Sequence, residues 1–357
     1  MASIPWTARR GRFIERNSTI RSDLSRRGIE RSRAPRVKLM TKSDDSVSAQ
    51  ALHTHHIFKA QRELLEDGVR NRAFYAALRK RVTSDSVVLD IGSGTGIWAI
   101  TAALLGAKKV VAVEKDTLLI RLIKNLAREN RVQDKIEIIE GDSREIKLSR
   151  EFDLFVSETI GNSAFDEEIV PILIDARKRF LKRDAALIPS TVSLIAAPAY
   201  LKAGSKKVPS GVPLSCNYFN SLSMNVPRLL RARSGLKLVA EPRELLRVDL
   251  ETIKKPPALS NLTARWKTKN TADMNCFVTW AEATLTDGIK LSTLDTTSWS
   301  PPVYMIRPFK ESKGDLEFVL EASGKNNFWS ASLARGGDEE RQSYSPVLAL
   351  VSLNAGG

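Results

Sequence analysis

Apolar positions in the first half of the chain follow two alternating periods. From Gln61 to Val82 they recur at helical spacing, which predicts one amphipathic helix. Short apolar runs, typical of buried strands, then alternate with segments of helical period. The predicted strands are Val87–Asp90, Lys109–Glu114, Ile136–Glu140 and Asp153–Glu158, and the predicted helices are Ile97–Leu105, Leu118–Asn130 and Glu168–Leu181. This alternation predicts an α/β domain with a doubly wound parallel sheet.

The pattern changes after Pro189, where helical periods fade and β-rich runs separated by glycine turns take over. These runs are Thr191–Ala197, Asn275–Leu285, Val303–Ile306 and Leu316–Leu320. They predict an all-β domain of barrel or sandwich type. We therefore divide the 357 residues into an extension over 1–45, an α/β domain over 46–190 and a β domain over 191–357.

Composition narrows the class of protein. Hydrophobic residues make up 42% and charged residues 27%, which is ordinary for a globular chain. Cys216 and Cys276 are too few for a disulfide-rich scaffold or a cysteine zinc site. Since no run of eighteen apolar residues occurs, we expect no membrane span and no membrane partner. We expect a cytoplasmic location.

The net charge of +15 is concentrated at the start of the chain. Residues 1–42 contain twelve basic and three acidic residues, a net +9. Because residues 1–45 lack a sustained apolar period, we expect them to be largely disordered. Three interpretations stay open: a solvated tail, an arm that binds nucleic acid or another acidic partner, and an organelle transit peptide.

The most specific local pattern is Val-Leu-Asp90-Ile-Gly92-Ser-Gly94-Thr-Gly96, in which a strand runs through glycines directly into a helix. Glycines at such a junction allow a ligand to approach the backbone and the free N–H groups of the helix. The spacing differs from the G-x-G-x-x-G of dinucleotide folds. A dehydrogenase or a turn without ligand remains an alternative.

This glycine turn resembles motif I of class I S-adenosylmethionine-dependent methyltransferases. Glu114 ends the second predicted strand, where an acid can accept hydrogen bonds from both ribose hydroxyls. Asp142 follows the third strand, where that family commonly has an adenine contact. The resemblance thus implies S-adenosyl-L-methionine as cofactor. The residues implied to bind it here are Asp90, Gly92, Gly94, Gly96, Glu114 and Asp142.

An acidic loop follows the fourth predicted strand, with Glu158 and Glu167 nine residues apart. Paired carboxylates repel each other unless a cation lies between them, and a planar guanidinium suits them best. Carboxylates that bind it can orient one nitrogen for attack and localise electron density on it. A solvated acidic loop is the alternative. The segment resembles the double-glutamate loop of protein arginine methyltransferases, which implies catalytic roles for both glutamates.

The resemblance extends over roughly residues 60–335. By match, Arg70 is expected to bind the cofactor carboxylate with Asp67 in support, although both residues also suit a charged helix surface. Residues 216–230 fall within the region of about 213–232 where the family has a dimerisation arm, which implies a homodimer; a simple amphipathic helix is the alternative. The chain is accordingly predicted to be a Rossmann-like methyltransferase domain followed by a β-barrel-like domain.

Two departures from the family pattern concern the substrate side. The stretch from Ala51 to His56 lacks the family's aromatic pair, and Ser298 replaces the histidine of its Thr-His-Trp loop. Trp299 is expected either to line the substrate pocket or to lie in the core. The three histidines at 53, 55 and 56 suggest a polar helix start or a cofactor lid, and we expect no metal site.

Arginine N-methylation is the favoured function, with protein arginine as the favoured acceptor. Free arginine or an arginine-derived metabolite stays open, because both departures affect the substrate side. RNA or another non-arginine acceptor is suggested by the basic tail. A non-catalytic regulator that keeps the fold is suggested by Ser298.

Overall fold

The computed structural model describes residues 44–149, 151–202, 215–230, 235–323 and 326–346. The chain divides into two units, residues 1–49 and 50–357, and the sheets formed by the described residues lie in the second. The predicted disorder of residues 1–45 and the proposed arm over 1–42 lie outside the described residues, apart from Asp44 and Asp45, which begin a helix. Within the described ranges, no helix combines the length and the hydropathy needed to cross a membrane.

The predicted helix Gln61–Val82 is wrong in its continuity, because two helices meet there. Helix α1 (Asp44–Glu66) ends and helix α2 (Gly68–Arg81) begins on either side of Asp67. The Asp67 carboxylate accepts a hydrogen bond from the Arg70 backbone N–H at 3.1 Å. An aspartate that caps an N-terminus in this way leaves the helical conformation itself, so a new helix starts.

The predicted parallel sheet is confirmed. Its strands are β1 (Val87–Ile91), β2 (Lys109–Glu114), β3 (Ile136–Glu140), β4 (Phe152–Val156) and β5 (Leu181–Ile188), and they lie in the order β3-β2-β1-β4-β5. Strand β1 lies between β2 and β4, so the order reverses beside it and a crevice opens at the carboxyl ends of the strands. The helices of this half are α3 (Ile97–Leu104), α4 (Thr117–Glu129) and α5 (Ile169–Arg179).

The second half is antiparallel, as predicted, but its described strands form two sheets and do not close a barrel. The elements are β6 (Thr191–Leu201), α6 (Asn217–Ser223), β7 (Arg228–Leu229), β8 (Leu236–Leu238), β9 (Arg243–Asp249), β10 (Leu262–Thr268), β11 (Cys276–Thr286), β12 (Ile289–Ser292), β13 (Pro302–Met305), β14 (Gly314–Ser323), β15 (Asn326–Arg335) and β16 (Asp338–Tyr344). The larger sheet has the order β7-β13-β11-β6-β8, with β12 paired to β11 and β9 paired to β6, and the smaller has the order β10-β14-β15-β16. Phe277 stacks on Phe318 between the two sheets, with ring centroids 4.5 Å apart.

Helix α2 joins the two halves at the edge of the crevice. Its last turn is basic, and Arg81 Nε donates to Thr286 Oγ1 at 2.6 Å while Lys80 Nζ donates to the Asp287 carbonyl at 2.8 Å. The first turn of the same helix carries Arg70, which is buried. The helix therefore spans from the β11–β12 turn to the crevice and fixes Arg70 relative to both halves.

Candidate active site

The glycine turn after β1 requires glycine at each of its three positions. Gly92, Gly94 and Gly96 have φ values of 72°, 56° and 78°, in the left-handed region that other residues rarely adopt. A Cβ on Gly96 would lie 2.8 Å from Ile123 Cγ2, so α3 and α4 can approach only because no side chain is present. The turn thereby exposes its backbone to the crevice.

Asp90 lies at the end of β1 beneath the glycine turn and is fully buried. Its Oδ2 accepts from the Ala99 N–H at 3.1 Å, whereas no partner among the described residues reaches its Oδ1. Burial raises the pKa of Asp90 to about 7, against the hydrogen bonds from Ser93 and Ala99. A buried carboxylate with an unused acceptor is costly, which is typical of a binding site.

Glu114, at the end of β2, contacts the same turn. Its Oε2 accepts from the Gly94 N–H at 2.8 Å, and its Oε1 accepts from the N–H groups of Lys115 and Asp116 at 2.9 and 3.0 Å. Asp142, after β3, lines a cavity of about 360 Å³ together with Gly92 and Glu114. Apart from Arg70, which lies in α2, the predicted cofactor residues thus lie around the carboxyl ends of β1, β2 and β3.

Arg70 forms a buried ion pair with Glu158, the first acid of the loop after β4. The Arg70 Nε donates to Glu158 Oε2 at 3.0 Å, and Nη2 contacts the same oxygen. The guanidinium lies 5.1 Å from the ring of Trp98 and 5.8 Å from that of Trp299. Burial raises the pKa of Glu158, and the adjacent Arg70 charge opposes this shift.

The other carboxylate near Arg70 belongs to Asp67, and it contacts the loop that contains Ser298. Its Oδ2 accepts from the backbone N–H groups of Thr297 and Ser298 at 2.8 and 2.9 Å and from Ser298 Oγ at 2.7 Å. Burial raises the pKa of Asp67, but the hydrogen bonds from Ser298, Arg70 and Thr297 outweigh it, so the pKa lies below its usual value. Ser298 therefore binds the Asp67 carboxylate through its side-chain hydroxyl as well as through its backbone N–H.

The loop from Glu158 to Glu168 is held by its own polar groups. Asp166 accepts from the N–H groups of Asn162 and Ser163 at 3.2 and 2.8 Å. Asn162 Oδ1 accepts from the Ser300 N–H at 2.6 Å, which links the loop to the antiparallel half. Glu167 lines the cavity, and part of the residue stays open to solvent. Desolvation by the cavity wall and the charges of Glu158 and Asp166 raise the pKa of Glu167 to about 7.

One cavity of about 290 Å³ brings most of the predicted site residues together. It adjoins the cavity at Asp142, and both are lined by Gly92, Glu114 and Glu167. Asp90 and Gly96 line neither cavity; they lie in the β1–α3 junction behind them. The predicted residues that line the 290 Å³ cavity are Arg70, Gly92, Gly94, Glu114, Glu158, Glu167 and Trp299.

Several residues of the site were not found by sequence reasoning. Trp98 packs over the Arg70 guanidinium, but the sequence alone marks it only as an apolar residue of α3. Asn162 and Asp166 support the acidic loop, and their only signal was the position of the polar residues beside Gly161. Arg144 pairs with Asp142, two residues earlier, in a spacing that sequence patterns do not mark.

The histidines lie inside α1 rather than at a helix start, so that expectation is wrong. His53 Nε2 lies 3.4 Å from Asp116 Oδ2, at the N-terminus of α4. Ala51 and Leu52, in place of the family's aromatic pair, are exposed on α1. Among the residues that the structure describes, no cluster of potential metal ligands occurs.

Comparison with known proteins gives sequence matches over parts of the chain. The family model described as ribosomal protein L11 methyltransferase (PrmA) matches residues 74–193. Protein arginine N-methyltransferase PRMT10 of Oryza sativa subsp. japonica is 37% identical over 147 residues, which cover 41% of this chain and 38% of that relative. The chain therefore matches about two fifths of the length of this curated relative.

Solved structures extend the similarity to both halves. The PRMT1 enzyme-prozyme heterotetrameric complex of Trypanosoma brucei with AdoHcy aligns with a TM-score of 0.68 and 22% identity over 80% of this chain and 97% of its own. Protein arginine methyltransferase 10 of Arabidopsis thaliana aligns with a TM-score of 0.67 and 21% identity over the same shares. The predicted resemblance to the protein arginine methyltransferase family is therefore confirmed, in sequence over part of the chain and in fold over both halves.

Proposed function

We propose that this chain transfers a methyl group from S-adenosylmethionine to the guanidinium of a protein arginine. The observation that carries the proposal is the cavity in which Glu158 and Glu167 lie with the glycine turn. Glu158 already binds one guanidinium there, that of Arg70, between aromatic rings. The site therefore has the chemistry that binds a delocalised, permanently charged cation.

The residues around the strand ends fit S-adenosylmethionine, which supplies an activated methyl group on a sulfonium. Glu114 is suited to the ribose hydroxyls and the glycine backbone to close approach of the ligand. We assign the ligand carboxylate to Arg70, whose guanidinium must then exchange Glu158 Oε2 for that carboxylate, and the adenine to the cavity at Asp142. The absence of side chains at the turn supports this fit, because it leaves the backbone open to the ligand.

In the mechanism we propose, the carboxylates of Glu158 and Glu167 bind the acceptor guanidinium and fix the direction of one terminal nitrogen. That nitrogen is a poor nucleophile while its lone pair is delocalised, and nearby negative charge localises electron density on it. The nitrogen loses a proton when it is methylated. Glu167, with a pKa of about 7, is suited to receive this proton at a carboxylate oxygen. Trp299 forms a wall of the pocket.

The experiment is methyl transfer from labelled S-adenosylmethionine to arginine-rich peptides and, separately, to free arginine. We expect transfer to the peptides, and at least a 100-fold loss of kcat/KM in Glu158→Gln and in Glu167→Gln. The control is Glu129→Gln, which removes an exposed acid at the end of α4. Full activity of both glutamine variants would refute the proposed binding of the guanidinium. Transfer to free arginine alone would replace the acceptor class.

The other acceptors have less support. The names of the curated relatives favour protein arginine over a free metabolite or RNA. The acids at the cavity repel phosphate, which disfavours RNA at the methyl-transfer site itself. Loss of nucleic-acid binding on removal of residues 1–42, with a steep salt dependence, would test the proposed arm. The cytoplasmic location stays a prediction.

We also propose a homodimer through α6 and the strand that follows it. Phe219 is 61% exposed and Leu229 is 53% exposed, and large apolar side chains exposed within one short segment are typical of an interaction surface. Sedimentation of Phe219→Asp should give a smaller particle than the unmodified chain. Phe328→Asp is the matched control, since Phe328 is also exposed but lies on β15. Equal sedimentation of all three proteins would refute the interface.

A further inference from the structure

Arg144 connects the turn after β3 to the end of the acidic loop. Its Nε and Nη2 donate to the two carboxylate oxygens of Asp142 at 3.0 and 2.9 Å, a bidentate pair that fixes the plane of the guanidinium. Its Nη1 donates to Glu168 Oε1 at 3.3 Å. One side chain thus bridges two segments that are 24 residues apart in the sequence.

The loop residue that Arg144 binds is next to Glu167 and has a strained backbone. Glu168 has a φ of 64°, which non-glycine residues rarely adopt, and its carbonyl accepts the first backbone hydrogen bond of α5, from Ile172 at 3.1 Å. A backbone in this region persists only where surrounding contacts hold it. The beginning of the loop is held by Asn162 and Asp166, and the Arg144 contact holds its end.

Arg144 also lines the cavity in which the adenosine is expected. Its lining includes the apolar residues Ile91 and Val113 together with Asp142, Arg144 and Glu167. A ligand in this cavity would therefore lie within reach of both the Asp142–Arg144 pair and the acidic loop. A shift of the Asp142 carboxylate would move the guanidinium and, with it, Glu168.

We propose that Arg144 is a positioning residue that couples occupation of the adenosine cavity to the placement of Glu167. For its effect on the acceptor, this inference rests on the proposed function. The effect on the loop itself needs only a ligand in the cavity. An exposed ion pair such as Arg144–Glu168 is weak by itself, so its expected role is to direct a strained loop rather than to stabilise the fold.

The test that does not depend on activity is amide hydrogen exchange over residues 159–168, with and without S-adenosylhomocysteine. In the unmodified chain the ligand should slow exchange in this segment. In Arg144→Ala and in Glu168→Gln the protection on ligand binding should fall at least 3-fold, with S-adenosylhomocysteine kept saturating according to calorimetry. Arg128→Ala, which removes an exposed arginine from α4, is the matched control and should retain the full protection.

The kinetic test separates acceptor binding from chemistry. We expect Arg144→Ala to raise KM for an arginine peptide about 3-fold to 10-fold with a smaller change in kcat, and Arg144→Lys to recover part of the loss. A role confined to stability would change the amount of folded enzyme and leave KM unaltered. The double variant Arg144→Ala/Glu168→Gln should lose no more than the worse single variant, because both changes break one bridge.

The outcomes are distinguishable from those of the proposed function. Equal loop protection in Arg144→Ala and the unmodified chain would overturn the coupling, even if arginine peptides are methylated. Loss of protection in a chain that methylates no arginine would support the coupling and refute the proposed acceptor. Absence of S-adenosylhomocysteine binding by the unmodified chain would overturn both.

Discussion

Replacing Asp67 by alanine is expected to destabilise the protein strongly, because one carboxylate holds two parts of the site. The carboxylate caps α2 through Arg70 and accepts three hydrogen bonds from Thr297 and Ser298. A helix cap contributes about 1 kcal/mol and a hydrogen bond to a charged group about 1.5–3 kcal/mol. Three of the four bonds share one oxygen and are not additive, so we expect a loss of about 3–5 kcal/mol.

Urea unfolding followed by tryptophan fluorescence measures this loss. Ser298→Ala is the matched control, since it removes one of the four bonds and should cost about 1 kcal/mol. The pKa of Asp67 is lower in the folded than in the unfolded chain, so its contribution is present above its ordinary pKa and is lost as the pH falls through the folded value. The difference between the unmodified chain and Asp67→Ala should therefore shrink below about pH 4. A loss in Asp67→Ala no larger than that in Ser298→Ala would refute the reasoning.

Three further predictions concern neighbouring groups. Affinity for an arginine peptide, measured by calorimetry, should rise as the pH rises through about 7, because Glu167 ionises there. This rise should be absent in Glu167→Gln, and a pH-independent affinity in the unmodified chain would contradict the prediction. Gly96→Ala should cost about 2–3 kcal/mol in urea, since its Cβ would meet Ile123 at a φ of 78°, and an unchanged midpoint would be inconsistent with the packing. Because the pKa of Asp90 is raised to about 7 in the folded chain, the free energy of unfolding should fall as the pH rises from about 4 to about 7, by up to about 4 kcal/mol. Asp90→Asn should remove this pH dependence. Unfolding free energies that depend on pH equally in Asp90→Asn and the unmodified chain would count against it.

The features predicted best from the sequence are the parallel strands and the acidic residues that follow their carboxyl ends. Apolar runs locate β1, β2 and β3 to within a residue or two, and the acids that follow such runs must lie at one edge of a parallel sheet. Glu114 and Glu158 were therefore correctly expected near the glycine turn. The cavity that contains both carboxylates follows from this edge and from the return of the loop to Glu167.

The sequence did not predict features that depend on local competition or on long-range pairing. Asp67 interrupts a continuous helical period because its carboxylate caps the backbone, which periodicity does not register. The pairing of β6 with β8 and β9, and the separation of the smaller sheet, depend on strand order that alternation leaves undetermined. The Arg144 bridge joins side chains whose proximity exists only in the folded loop.

The hydrogen bond between Asp67 and Ser298 has a consequence for the order of folding. It joins residues 231 positions apart, and the hydrogen bond from the Ser300 N–H to Asn162 Oδ1 spans 138 positions. Contacts of such separation form late, because the chain between them must first be ordered. The glycine turn is formed by residues close together in the sequence, whereas Trp299 can form its wall of the pocket only once the antiparallel half has folded. A fragment that ends near Pro189 should therefore retain the parallel sheet and lack the wall that completes the acceptor pocket.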